Sequence, residues 1–172
     1  MKTEEFVNKI WEKAELILLP IEGYNPEISI KALIENEHKI NEIYPFGHKP
    51  LLTTLLPFAV QLGKVLIKEI PGTKWIDKEI KYPYDLELET YSKNNENDNV
   101  SVKVFPMNRI EKFWITGREY SLSNMVITLK FMSKNNMNDP EIQKKANKDG
   151  WIDIGYGNLI RITTIDKKDL PN

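Results

Sequence analysis

Side chains able to do acid–base or metal chemistry are few in this chain. Its two histidines are His38 and His48, and His38 has carboxylates within about one helical turn at Glu35, Glu37 and Glu42. No HExxH or comparable metal-binding spacing is present. We therefore interpret these glutamates as a polar helix face, and we expect neither a bound metal nor a cofactor.

Nucleophilic catalysis has no recognisable motif either. The lack of cysteine excludes a thiol nucleophile, a disulfide framework and a thiolate zinc site. A catalytic serine needs a base and an oxyanion donor, yet there is no GxSxG elbow, so Ser29, Ser121 and Ser123 are interpreted as serines at helix starts or in loops. The turn at 155–157 lacks the third glycine and the Lys-Ser/Thr ending of a nucleotide-binding loop. No catalytic residue is predicted, and an enzyme is the less favoured class.

Two carboxylates, Glu87 and Glu89, alternate with leucines in a predicted strand. Strand rise puts them about 6.6–7 Å apart on one face, which overlaps the separation of the two acids in inverting glycosidases. A solvated strand face with alternating charge is far commoner. Lys103 on the partner strand offers a cross-strand ion pair, so the three residues are candidates for a binding surface rather than for catalysis.

Arginine is the rarest basic residue here: three of the 24 Lys and Arg residues are Arg109, Arg118 and Arg161. Arg109 and Arg118 flank a short predicted helix, which makes them candidates for binding an acidic partner or an anion, with a structural ion pair as the alternative. The net charge of −1 and the pI near 6.2 argue against nucleic acid as the partner.

Three N-terminal helices are predicted to carry most of the core. Thr3 caps the first, which ends at Pro20, and the cap signal Asn25-Pro26-Glu27 starts the second, which runs to about Ile43. The third, over residues 51–70, is apolar on nearly every side and is expected to be central. Gly63 in its middle suggests a close approach to the sheet, where Trp75 fills the layer between them.

The hydrophobic period then changes to two over residues 85–91 and 99–105, which predicts an antiparallel hairpin joined by the polar loop 92–98. A shorter strand near 74–76 is expected to extend the sheet. The residues predicted to face the helices are Leu86, Leu88, Val100, Val102 and Val104. Those predicted to face solvent are Glu87, Glu89, Ser101 and Lys103.

Pro106 ends the last of these strands, and short helices are predicted at 108–114, from Ser121 to about Met132, and from Asp139 to a point before Gly150. The cluster 144–148 then places lysines at a helix C-terminus, where the dipole favours them. Residues 151–154 and 159–163 suggest a second hairpin. The whole chain, residues 1–172, is predicted to be one α+β domain, with the N-terminal helices packed on one face of a small antiparallel sheet.

The sequence predicts neither a secretory signal nor a membrane-spanning helix. Glu4 and Glu5 stand where a secretory signal needs basic residues, and the apolar stretch 51–70 is interrupted by charged residues and by Pro57. We therefore expect a cytoplasmic protein without a membrane span.

Several short motifs, spread over about residues 30–129, resemble a group of small uncharacterised bacterial proteins. They are Leu62-Gly63-Lys64-Val65-Leu66-Ile67, Gly72-Thr73-Lys74-Trp75, Phe105-Pro106-Met107-Asn108-Arg109-Ile110, Gly117 and Ser121-Leu122. The group's helix carries a second glycine and an acidic residue where this chain has Val65, Leu66 and Lys68. The resemblance implies a small intracellular accessory or immunity-like protein without known catalytic residues.

Two functional hypotheses follow from these observations. The first is a non-enzymatic protein-binding module that occludes a partner protein, through either the Glu87 and Glu89 sheet face or the side of Arg109 and Arg118. The alternative is a small-molecule-binding protein or enzyme with a pocket between the central helix and the sheet.

Overall fold

The computed structural model describes residues 1–18, 22–43, 52–94, 96–116 and 121–161, and these form an α+β fold, as predicted. The helices are α1 (Thr3–Leu18), α2 (Ile30–Ile43), α3 (Leu52–Glu69), α4 (Pro106–Thr116), α5 (Leu122–Lys134) and α6 (Pro140–Gln143). The strands are β1 (Lys74–Trp75), β2 (Leu88–Lys93), β3 (Asn99–Val104), β4 (Trp151–Gly155) and β5 (Asn158–Arg161).

Helix α3 is the central helix, as its apolar composition predicts. It contacts α1, α4 and α5, and its residues Leu62, Val65 and Leu66 are completely buried. One continuous cluster of buried side chains includes residues of α1 to α5, β2 and β3. The hydrophobic effect of this single cluster therefore holds the N-terminal helices and the first sheet together.

The first sheet is antiparallel, in the order β1-β2-β3, and Leu88 of β2 pairs with both Trp75 and Val104. Helix α5 packs against β2. Burial decreases along β3 from Val104, which is buried, to Val100, which is 43% exposed. Val100, which is predicted to face the helices, is therefore not buried against them as Val104 is.

Strand β2 begins later than its alternating pattern predicts. Residues Pro83–Asp85 form a 3₁₀ turn, in which the Asp85 carboxylate accepts hydrogen bonds from the N–H groups of Lys81 and Tyr82. Glu87, which follows this turn, is only 7% exposed. Its predicted position on a solvated face is therefore wrong.

Two residues that are predicted to cap helices make different hydrogen bonds in the structure. Thr3 is the first residue of α1, and its hydroxyl lies 2.9 Å from the carbonyl oxygen of Ile76 and accepts from the Lys78 N–H at 3.1 Å. Asn25 accepts from the Glu27 N–H in a local turn, and it is Ser29 that accepts from the N–H of Ala32, in the first turn of α2. Helix α2 therefore begins at Ile30, several residues after the predicted start.

The C-terminal part confirms the Ser121 and Asp139 caps and the second hairpin. Strands β4 and β5 pair with each other and contact α5. The predicted lysine-rich helix, however, ends at Gln143, and residues 144–150 are mostly in turns. The lysines of this segment therefore follow a four-residue helix instead of ending a long one, so the helix-dipole explanation for them is wrong.

Candidate ligand-binding groove

A groove of about 770 Å³ lies between the N-terminal half of α1, the C-terminal half of α3 and β1. It has an apolar floor under a rim of lysines, and we call it the lysine groove. The floor is formed by Val7, Ile28, Ile67 and Trp75, and the lysines are Lys2, Lys64, Lys68 and Lys74.

The floor depends on close packing between β1 and α3. The six-membered ring of Trp75 lies against Gly63, and a Cβ atom at that position would overlap the ring. This contact confirms the prediction that Gly63 lets the helix approach the sheet and that Trp75 fills the layer between them. The half-buried Trp75 side chain also lines the groove, as Ile67 does.

The wall on the α1 side is held by contacts between distant residues. Besides the Thr3 hydroxyl, the Thr3 N–H donates to the carbonyl of Lys78 at 3.1 Å, and Lys2 forms an antiparallel bridge with Glu79. These contacts fix the first turn of α1 beside the segment that follows β1. The groove therefore has walls from both ends of the first 80 residues.

The four lysines of the rim differ in their partners. Lys2 pairs with Asp77 at 3.2 Å, and Lys74 pairs with Glu89 at 3.4 Å. Lys68 donates to the carbonyl oxygen of Ile28 at 2.7 Å, and the Lys64 ammonium lies 5.5 Å from the ring centroid of Trp11. Within the described part of the chain, Lys64 and Lys68 have no carboxylate partner.

The predicted sheet site is an ion-pair network. Glu87 lies 2.9 Å from the ammonium of Lys103 and 2.7 Å from that of Lys78. Hydrogen bonds from these ammonium groups, Lys103 first, lower the pKa of Glu87, and the carboxylate in turn raises the pKa of Lys103. The pKa of Glu89 is lowered mainly by a hydrogen bond from the Ser101 hydroxyl. Lys78 and Lys103 therefore balance the charge of Glu87, and Lys74 balances that of Glu89.

Of the two candidate arginines, Arg109 lies within the described residues. Arg109 lies in the first turns of α4 and is half-buried, one helical turn after the exposed Phe105. Its guanidinium has no ion pair with another described residue. Arg118 and His48 lie outside the described residues, so the binding of an acidic partner or an anion by Arg109 and Arg118 stays a prediction.

One functional-looking carboxylate is structural, and the sequence interpretation missed it. Glu37 in α2 is 8% exposed and accepts hydrogen bonds at the start of α5 from the backbone N–H groups of Leu122 and Ser123 and from the hydroxyls of Ser121 and Ser123. It therefore caps α5 from another helix. Its neighbour His38 is exposed, and the described residues contain no group of three or more side chains able to hold a metal.

A buried amide network lies on α3 about two turns before Lys68 and bonds the same segment that precedes α2. Gln61 is completely buried, and its amide donates to the carbonyl oxygens of Asn25 and Glu27 at 2.9 Å. The amide of Asn36 donates to Gln61 at 2.9 Å. The network satisfies the backbone before α2 and is not a ligand site.

None of the helices in the described ranges is long and apolar enough to cross a membrane. No protein-family model, curated protein sequence or solved structure matches the chain. The resemblance to small bacterial proteins therefore stays a prediction.

Proposed function

We propose that the protein acts by binding a small ligand in the lysine groove. The observation that carries this proposal is an apolar floor under a lysine rim, in a space of about 770 Å³. Ligand pockets commonly have volumes of about 300–1,000 Å³, mostly apolar walls and a few polar groups that fix orientation. The groove lies between the central helix and the sheet, where the alternative hypothesis places a pocket.

Each part of the groove has a separate role in this proposal. Covering the apolar surface of Trp75 and Ile67 would stabilise a complex by about 25 cal/mol per Å² removed from water. The lysines add directional contacts and select by charge. The packing of β1 on α3 holds the Trp75 ring against Gly63, so this part of the floor is preorganised for binding.

Recovery of a native ligand tests this proposal. Asn8 is an exposed residue of α1 that lines the groove, so Asn8→Trp fills the groove without altering the core. We expect native mass spectrometry and solvent extraction to detect a small molecule bound to the wild-type protein from its host and strongly depleted in Asn8→Trp.

Asn124→Trp, at an exposed position of α5, is the matched control and retains the ligand. Equal recovery from wild type and Asn8→Trp would place any ligand elsewhere, and no recovered ligand from the native host would contradict the proposal.

A second candidate function is supported by the surface around Arg109. The resemblance predicts an accessory or immunity-like, non-enzymatic protein that occludes a partner. Arg109 has no described ion-pair partner and lies one turn from Phe105, which is 37% exposed. Arginine and aromatic residues dominate the energetics of many protein interfaces, and an acidic partner would supply the missing carboxylate.

Affinity capture from the native host tests this second candidate. We expect the wild-type protein and Lys145→Ala, altered at an exposed lysine, to recover the same protein partner, and Arg109→Ala to recover about tenfold less. If no protein co-purifies and only small molecules raise the melting temperature, the protein-binding function is wrong.

A further inference from the structure

We infer that the lysine groove selects an anionic amphiphile, with its acidic head group at Lys64 and Lys68 and its apolar arm along Ile67 and Trp75. The inference rests on the proposed function, because it names the ligand class of the same groove. It follows from the ion pairs that the rim lysines already form and from the apolar side chains of the floor.

The charge balance of the groove favours an anion. Four lysines and two carboxylates, Glu4 and Asp77, line it. Asp77 already pairs with Lys2, while Lys74 pairs with Glu89, which is not part of the lining. The two cations without a described carboxylate partner are therefore Lys64 and Lys68, which makes them the natural contacts of an incoming acid.

The positions of these two lysines suit a single head group. They are four residues apart in α3, so their side chains start from one helix face with Cβ atoms about 5–6 Å apart. Both lie on the side of α3 that lines the groove, together with Ile67. A carboxylate or phosphate monoester has oxygens enough to accept from both ammonium groups.

The apolar floor favours a ligand that has an apolar part as well as a charge. An inorganic anion at the lysines would leave the half-buried side chains of Trp75 and Ile67 in contact with water. An apolar arm of several carbon atoms would cover that surface and fill much of the volume of about 770 Å³. An extended polyanion such as nucleic acid is disfavoured, since two of the lysines in the described lining lack a carboxylate partner and the net charge of the chain is −1.

Calorimetry at low ionic strength with simple probes tests the inference. The probes are octanoate, octyl phosphate, octanamide as the uncharged match, and acetate as the head group without an arm. We expect octanoate or octyl phosphate to bind at one site at least about tenfold more tightly than octanamide and acetate, as for charge-assisted hydrogen bonds. The tighter of the two charged amphiphiles identifies the head group.

Variants locate the head group. Lys64→Met and Lys68→Met should each weaken binding of the charged probe about tenfold without affecting octanamide, and Glu4→Gln should strengthen it by removing a repulsive charge. Lys145→Met, outside the groove, should have no effect. Because Lys68→Met also removes the hydrogen bond to Ile28, its urea midpoint is compared with that of wild type, and Lys64→Met serves as the independent variant.

The outcomes separate this inference from the proposed function. If octanamide binds as tightly as octanoate and Asn8→Trp abolishes both, the groove is a ligand site but its selection of anions is wrong. Binding of octanoate that is insensitive to Asn8→Trp, or no binding of any probe, overturns the inference. Recovery of a native ligand from the host tests whether the groove binds a ligand, independently of these probes.

Discussion

The ring of Trp75 lies against the backbone of Gly63, so that β1 and α3 meet at a position where a side chain has no room. A glycine inside a helix costs about 1 kcal/mol relative to alanine. Here the cost is offset by ring packing that also builds the floor of the lysine groove. The same two residues therefore matter for stability and for the proposed site.

Gly63→Ala should destabilise the protein despite the better helix propensity of alanine. The added methyl group must displace the Trp75 ring, and such overpacking costs about 1–3 kcal/mol, which exceeds the gain of about 1 kcal/mol. Urea unfolding followed by circular dichroism measures the difference. Gly63→Ala combined with Trp75→Leu should cost less than the two single changes added together, and additive costs would show that the contact is unimportant.

The helical periods and the change to a period of two give the correct order of elements, because amphipathic patterns record which faces are buried. The starts of α2 and β2 are displaced because their local signals have other uses. Asn25 turns the chain toward Gln61, and Asp85 closes a 3₁₀ turn. Gln61 is 36 residues away from Asn25 and leaves no trace in the local pattern, whereas the turn at Asp85 is local and interrupts the alternation of the strand.

Glu37→Gln should destabilise the protein by about 2–4 kcal/mol, since the amide replaces an acceptor that several donors at the start of α5 share. Differential scanning calorimetry and urea unfolding measure the loss. Glu12→Gln, an exposed change on α1, is the control and should be nearly neutral. If both variants unfold at the same urea concentration, Glu37 is not the principal cap.

The cap of α5 and the lysine groove were only partly predictable from the sequence, for the same reason. The Ser-Leu-Ser start of α5 is recognisable as a cap, but the carboxylate that completes it lies 85 residues earlier in the chain than Leu122. The lysines of the groove are similar, because Lys2, Lys64 and Lys74 each look like part of a solvated face when considered alone. Only the fold brings them together.

Thr73 and Thr90 form a second pair that can be tested. Their hydroxyl oxygens are 2.7 Å apart, and both residues are buried. Thr90→Val leaves the Thr73 hydroxyl without this partner and should cost about 1–3 kcal/mol, whereas Thr73→Val with Thr90→Val should lie closer to wild type. Equal stability of Thr90→Val and wild type would contradict the pairing.

Acid should weaken the Glu87 network. Hydrogen bonds from Lys103 and Lys78 lower the pKa of Glu87 below its ordinary value of 4.5, so the carboxylate binds a proton more readily in the unfolded chain. Its contribution is therefore complete above pH 4.5 and is lost as the pH falls through the lowered pKa. Glu87→Gln should cost about 1–2 kcal/mol at neutral pH and almost nothing once the wild-type carboxyl is protonated.

Unfolding in urea over a pH series measures this effect. Glu141→Gln is the matched control, because Glu141 pairs with Lys144 at 2.6 Å but its side chain is 75% exposed. Its difference from wild type should be small at every pH. A Glu87→Gln difference that persists at the acid end would show that packing, and not charge, explains the loss.

The hydrogen bonds of Thr3 to the chain at Ile76 and Lys78 join residues up to 75 positions apart. Closing so large a loop costs chain entropy before any contact forms, so this junction depends on α3 and β1 already being docked. The groove is thus a product of completed folding. A ligand in the groove would bind only after the first 80 residues have folded, and it would stabilise the contact between the two ends of that segment.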